Sequence, residues 1–129
     1  MAPNDIACLI VLVVDDGVDT RAVLKRMLEL RGCCVVEAAN GQEAVELAKR
    51  TCPDLILLDL NMPQLDGLAA AQQIRECKAA CRDAPIVAMT AFDTYGMEAA
   101  TREVGCDGYI AKPIDLDRLD RVLSHFLPG

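Results

Sequence analysis

The chain has no tryptophan and only two tyrosines, two phenylalanines and one histidine in 129 residues. Aromatic residues at 3% leave little surface for stacking a flavin ring. Basic residues are also scarce: 13 Lys and Arg against 20 Asp and Glu give a formal net charge of −7. No basic stripe interrupts that balance, which disfavours nucleic-acid binding. The longest apolar run, Ile6 to Val14, is far too short to span a membrane. The opening Met1-Ala2-Pro3-Asn4-Asp5 lacks the basic region of a secretory signal. The seven cysteines, Cys8, Cys33, Cys34, Cys52, Cys77, Cys81 and Cys106, are odd in number and contain no Cys-x-x-Cys pair. Cys77 and Cys81 share a face if their stretch is helical, but no histidine lies near them in sequence to complete a metal site. The expectation is small buried or half-buried thiols in a reducing cytoplasm.

What is present is a regular alternation. A hydrophobic content of 53% with 26% charged residues suits one folded domain of this length. A strand pattern at Cys8–Val14 precedes a helix pattern to about Arg31, with Val23, Met27 and Leu30 on one face, Leu24 and Leu28 beside it, and Gly32 as its stop. Strand patterns recur at Cys34–Ala38, Leu55–Leu58, Pro85–Thr90 and Gly108–Ala111. Helices are expected near Gln42–Arg50, Gly67–Cys77, Met97–Val104 (closed by Gly105) and Leu116–Phe126. Continuous Val, Ile and Leu runs imply a parallel sheet covered on both faces. The fold class is therefore α/β, a doubly wound five-stranded sheet in a single domain with its core over about residues 8–127 and no room within this chain for an output domain.

Chemistry gathers where the strands end. Leu55-Ile56-Leu57-Leu58 runs into Asp59, and Val13-Val14 runs into Asp15-Asp16. Open α/β sheets place their sites at these carboxyl ends. Neighbouring carboxylates raise each other's pKa or recruit a cation, and an oxygen-only set suits Mg²⁺. A carboxylate beside Mg²⁺ is also a nucleophile for phosphoryl groups. Thr90 ends the fourth strand and Lys112 follows the fifth, supplying a hydroxyl and an ammonium to the same edge. Singly, each has a plainer reading: Asp16 as a helix cap, Thr90 as ordinary strand sequence, Lys112 as a surface lysine, Tyr109 as a partly buried aromatic. His125, in a terminal helix pattern, reads as a surface histidine. The plain readings do not explain polar residues closing four strands on one side.

These pieces resemble the receiver domain of the bacterial two-component response-regulator family. The matching segments are Val13-Val14-Asp15-Asp16, Leu57-Leu58-Asp59-Leu60-Asn61-Met62-Pro63 with Asp66-Gly67, Met89-Thr90-Ala91, and Gly108-Tyr109-Ile110-Ala111-Lys112-Pro113, in family order and spacing. The resemblance implies a flavodoxin-like sheet of order 2-1-3-4-5. It implies Asp59 as the phosphoacceptor, supplied by a sensor histidine kinase or a histidine phosphotransfer protein. Asp16, Asp59 and the carbonyl of Asn61 would bind Mg²⁺, with Asp15 acting through water. Lys112 and Thr90 would contact the phosphoryl oxygens, and Thr90 with Tyr109 would form the switch. Small Ala91 would leave room for the tyrosine to turn inward, and Pro113 would fix the loop of Lys112, by a cis bond if it adopts one. The readout face would be the fourth helix, fifth strand and fifth helix, acting on a downstream protein that the sequence does not name. The donor would dock on the first helix, around Arg21, Ala22, Leu24 and Lys25.

The implied role is that of a cytoplasmic phosphoacceptor, monomer or weak dimer, that modifies only itself and is not an enzyme turning over a substrate. It touches neither nucleic acid nor membrane. A receiver segment of a hybrid histidine kinase and a phosphorylation-independent adaptor share the fold, though the intact site residues weigh against the adaptor. A flavodoxin-like electron carrier needs a hydroxyl-rich phosphate loop where Asp15-Asp16 stand. A Mg²⁺-dependent aspartyl phosphohydrolase needs an acid two residues after its nucleophile, where this chain has Asn61. Gly17 departs from the usual polar residue after the acidic pair, which predicts a looser helix cap. Bulky Phe92, two after Thr90, predicts slow self-dephosphorylation by limiting attacking water.

Overall fold

The computed structural model describes residues 9–60, 67–76, 84–90, 97–112 and 114–127. Strands and helices alternate: β1 (Ile10–Val14), α1 (Val18–Leu30), β2 (Cys34–Ala38), α2 (Gly41–Thr51), β3 (Leu55–Asp59), α3 (Gly67–Glu76), β4 (Ile86–Thr90), α4 (Met97–Glu103), β5 (Gly108–Ala111) and α5 (Leu116–Phe126). The strands form one parallel sheet in the order β2-β1-β3-β4-β5. The chain reverses its direction of travel across the sheet between β1 and β3, and such a switch point opens a crevice at the carboxyl ends of those two strands.

Side-chain alternation explains the layering. Along β1, Leu12 and Val14 enter one core while Val11 and Val13 enter the other. Ile56 and Leu58 alternate with Leu55 and Leu57 in β3, and Ile86 and Ala88 with Val87 and Met89 in β4. Leu24 and Leu28 of α1 and Leu119 and Val122 of α5 cover the second core. Ala44, Val45 and Ala48 of α2, with Ala70, Ala71 and Ile74 of α3, cover the first. The central strands are buried on both faces, which is why they read as unbroken apolar runs.

α1 departs from the face expected of it. Leu24 and Leu28 are its buried line, while Val23 is 58% and Leu30 64% exposed. Adjacent helix residues differ by about 100° in direction, and both candidate stripes carried apolar residues, so periodicity could not choose between them. Gly32 ends the helix as expected. Its φ of 83° lets its N–H reach the Glu29 carbonyl and that of Cys33 reach Leu28. α2 has a built start: Asn40 Oδ1 accepts from Glu43 N–H at 2.9 Å, and Glu43 Oε1 accepts from Ala39 N–H at 2.7 Å.

Far from the carboxyl edge, Arg75 of α3 joins three segments. Its guanidinium donates to the carbonyls of Gly105 (2.9 Å) and Ala84 (2.6 Å) and to Asp107 Oδ2 (2.5 Å). The same Asp107 oxygen accepts from Ile86 N–H at 2.9 Å, so the amino ends of β4 and β5 share one tie. Cys33, Cys52 and Cys106 are free thiols, the first and last buried. Cys34 is disulfide-bonded, contrary to the expectation of thiols throughout. Cys8, Cys77 and Cys81 lie outside the described residues.

Candidate functional site

The strand register brings the two acidic segments together. Val14 pairs with Leu58 across β1 and β3, and the next residue on each strand is Asp15 and Asp59. Asp59 is the last residue of β3, and its backbone is tied to β4 through the Leu60 N–H to Met89 carbonyl bond of 2.9 Å. Asp15 and Asp59 are each 2% exposed, whereas Asp16 is exposed. One carboxylate oxygen from each of Asp15, Asp16 and Asp59 lies within 4.8 Å of the other two.

Lys112 enters from the far side of the sheet. Its N–H donates to the Thr90 carbonyl at 2.7 Å, which fixes the end of β5 against the end of β4. Its ammonium lies 2.6 Å from Asp15 Oδ2 and 3.4 Å from Asp59 Oδ2. Burial pulls its pKa down, but the Asp15 hydrogen bond and the charges of Asp59 and Asp15 outweigh that, and the net value stands above that of an ordinary lysine. The ammonium is therefore charged throughout the neutral range.

Both oxygens of Asp15 are occupied by protein donors, since Oδ1 accepts from Gly17 N–H at 2.8 Å and Oδ2 from Lys112. That matches a carboxylate acting on a metal through water. Asp16 and Asp59 are then the described residues that could ligate a cation directly, and their hard oxygens fit Mg²⁺. Asn61, whose carbonyl was expected to complete the set, lies outside the described residues, as do Ala91, Phe92 and Pro113. The Gly17 start of α1 has no side-chain cap, as the sequence suggested.

Thr90 is wholly buried at the end of β4. Ala88 pairs with Tyr109 and Thr90 with Ala111, so Thr90 and Tyr109 are diagonal neighbours on one sheet face. Tyr109 is half-buried against the core on that face. The acids of β1 and β3 share alternation with the opposite face. The edge thus has an acidic side over α1 and, on the opposite face, the Thr90–Tyr109 pair. His125 is exposed on α5 and packs edge-on against Phe126 at 4.6 Å between centroids.

Two expectations for α1 need correction. Leu24 is 2% exposed and faces the core, so no docking partner reaches it. The Arg21 side chain, only 15% exposed, is turned inward: its Nη1 donates to the Asp15 carbonyl at 2.7 Å, and its Nε lies 3.3 Å from Glu37 Oε1. Glu37 also lies 3.6 Å from the Lys25 ammonium. The apolar groups that the first turns of α1 present outward are Val18 and Val23, at 68% and 58% exposure, with exposed Ala22 between them. Gly67 was seen only as part of a motif, and its role is steric. A Cβ there would meet the Asp59 carbonyl oxygen and stand 2.7 Å from Leu60 Cα, so only glycine lets α3 pack on the backbone of the central acid.

Comparison with known proteins agrees with this geometry. The family model for the response regulator receiver domain matches residues 11–124. The polar-differentiation response regulator DivK of Brucella anthropi is 32% identical over 117 residues, covering 91% of this chain and 94% of that protein. The probable transcriptional regulator ycf27 of Porphyridium aerugineum is 37% identical over 110 residues, but the chain spans only 44% of its length. Among solved structures, the receiver domain of sensor histidine kinase PA1611 from Pseudomonas aeruginosa PAO1, which has magnesium coordinated in its active-site cleft, superposes with a TM-score of 0.85 at 34% identity, covering 93% of this chain and 98% of that one.

Proposed function

The chain belongs to the response regulator receiver domain family, and from that premise we propose that it is a phospho-accepting switch of two-component or phosphorelay signalling with Asp59 as the acceptor. The observation that carries the reading is Asp59 itself: a buried carboxylate grouped with Asp15 and Asp16 and only 3.4 Å from the Lys112 ammonium.

When bound, Mg²⁺ supplies positive charge that offsets the carboxylates and draws in phosphoryl oxygens. Asp16 and Asp59 would hold it, with Asp15 acting through water. An Asp59 oxygen attacks the phosphorus of a phosphohistidine. The O–P bond forms as the P–N bond breaks, and the released imidazole nitrogen takes a proton from water. Lys112 and the Thr90 hydroxyl donate to the phosphoryl oxygens, where charge must be held in transfer. Water later hydrolyses the acyl phosphate, returning the carboxylate and inorganic phosphate. The protein changes only itself in this cycle, so it is not an enzyme in the turnover sense.

The donor is a sensor histidine kinase or a histidine phosphotransfer protein, and the outward apolar groups Val18, Ala22 and Val23 beside the acids offer it a surface. Output runs through Thr90 and Tyr109. Tyr109 borders an open groove of about 590 Å³ on β5 and α5, whose rim includes Arg118, Arg121, His125 and Phe126. Phosphorylation acts there by population shift, and moving a 1:99 balance to 99:1 requires about 5.5 kcal/mol of differential contact. Among the described residues no helix is long and apolar enough to cross a membrane. The role places the chain in the cytoplasm, where the Cys34 disulfide would be reduced.

Incubation with Mg²⁺ and acetyl phosphate followed by intact mass measurement tests the reading. Wild type should gain one phosphoryl group and Asp59→Asn none, whereas equal gain in both sinks the assignment. A second reading, a receiver belonging to a hybrid histidine kinase, is favoured by the 34% identity to the PA1611 receiver. It calls for rapid return of the phosphoryl group from Asp59 to a histidine phosphotransfer protein.

A further inference from the structure

Arg21 is the one cation of α1 whose side chain is turned under the acidic edge. Its planar guanidinium makes two directed contacts, Nη1 to the Asp15 carbonyl at 2.7 Å and Nε toward Glu37 Oε1 at 3.3 Å. Glu37 lies on β2, where it pairs in register with Val13 of β1, so its position is set by the sheet. Lys25 flanks the other Glu37 oxygen at 3.6 Å. The arginine is thus gripped from below by a strand residue and reaches up to one specific peptide group.

That peptide matters because its carbonyl belongs to Asp15 and its nitrogen to Asp16. A peptide unit is planar, so fixing the carbonyl direction fixes the plane on which the Asp16 Cα sits. Asp15 is already held on its other bonds: its N–H donates to the Ala38 carbonyl at 3.1 Å, and its carboxylate is taken by Gly17 N–H and Lys112. Asp16, by contrast, is exposed and begins the turn into α1. With Asp15 held at every other point, the carbonyl grip decides where the Asp16 carboxylate stands relative to Asp59.

We propose that Arg21, gripped by Glu37, is a positioning residue for the divalent-cation site, orienting the Asp15–Asp16 peptide so that the Asp16 carboxylate faces Asp59. The inference rests on the phosphoacceptor reading above only in taking Asp16 and Asp59 as cation ligands. Second-layer contacts of this kind change metal affinity by about 10- to 100-fold when removed. The planar fork suits the two-point grip, which a single ammonium reproduces poorly.

The sign of the effect separates positioning from plain electrostatics. Deleting a positive charge near three carboxylates should by Coulomb's law tighten Mg²⁺ binding. Loss of positioning weakens it. The test is Mg²⁺ titration of the full chain by calorimetry, with the Gly17 amide resonance as a local probe, for wild type, Arg21→Met and Arg21→Lys. Arg21→Met should bind Mg²⁺ about 10-fold more weakly, and Arg21→Lys should recover part of the loss. Equal or tighter binding in Arg21→Met overturns the proposal. If that variant fails to fold, Arg21→Lys decides alone: weaker binding at conserved charge supports positioning, and wild-type affinity refutes it. Acetyl phosphate labelling of wild type in parallel keeps the two claims apart. Mg²⁺ binding without labelling refutes the phosphoacceptor reading alone, and absence of Mg²⁺ binding by wild type refutes both.

Discussion

Lys112 stands nearer to Asp15 than to the acid it is expected to serve, 2.6 Å against 3.4 Å. Its single positive charge offsets only part of the negative charge of the carboxylate pair. The proposed phosphoryl transfer would require it to exchange Asp15 for a phosphoryl oxygen.

Replacing Lys112 by Met should therefore have two opposite effects. Mg²⁺ should bind more tightly, because a competing cation is gone. Labelling by acetyl phosphate should slow by about 10²- to 10³-fold, the usual loss for a donor at developing charge. Calorimetry and timed mass spectra measure the two separately, and a parallel fall in both would contradict the exchange. The elevated pKa of Lys112 means its contacts are complete below the ordinary lysine value of about 10.4 and are lost as pH rises through its higher folded value. No lysine titration should appear in the labelling rate near neutrality.

Gly67→Ala should cost stability by about 1–3 kcal/mol, since the new methyl group collides with the backbone of Asp59 and Leu60. Urea denaturation reports the cost. Because the collision is with the strand end itself, labelling at Asp59 should slow in the fraction that stays folded.

The two faces of α1 should answer differently. Leu24→Ala opens a cavity in the core beneath the helix and should destabilise by about 2–5 kcal/mol. Val23→Ala should stay within about 0.5 kcal/mol and instead slow transfer from a phosphohistidine donor while leaving acetyl phosphate labelling unchanged. A stability loss at Val23 equal to that at Leu24 would reverse the assigned faces.

Burial, offset in part by Arg75 and aided by Asp107, raises the Cys106 thiol to about 11. A neutral thiol held in that way contributes stability that is complete below its ordinary value of 9.0 and declines as pH rises toward about 11. Cys106→Ser should flatten that decline. In mapped alkylation of the native protein near pH 8, exposed Cys52 should react well before Cys106.

Much of this was visible in the residues alone. The unbroken runs at Leu55–Leu58 and Val11–Val14 announced central parallel strands, and the acids after them announced a carboxyl-edge site, because both are consequences of backbone alternation and connection rules. The α1 face was not legible, since Val23, Leu24, Met27, Leu28 and Leu30 put apolar groups around most of the helix and only tertiary packing selects a side. Arg21 was misassigned to a docking surface for a related reason: an arginine on an amphipathic helix reads as solvated, and its carbonyl partner is a backbone atom that no sequence pattern marks. The disulfide at Cys34 was likewise invisible, because an odd set of cysteines without close spacing gives no pairing rule.

Arg75 has a mechanical consequence. By gripping Ala84, Gly105 and Asp107 at once, it anchors the amino ends of β4 and β5, while Thr90 and Lys112 stand at the opposite ends. β4 is also paired along its length to β3 and β5, so the Arg75 tie serves as a datum: it fixes where the two strands begin, and loosening it would let their carboxyl ends slip out of register.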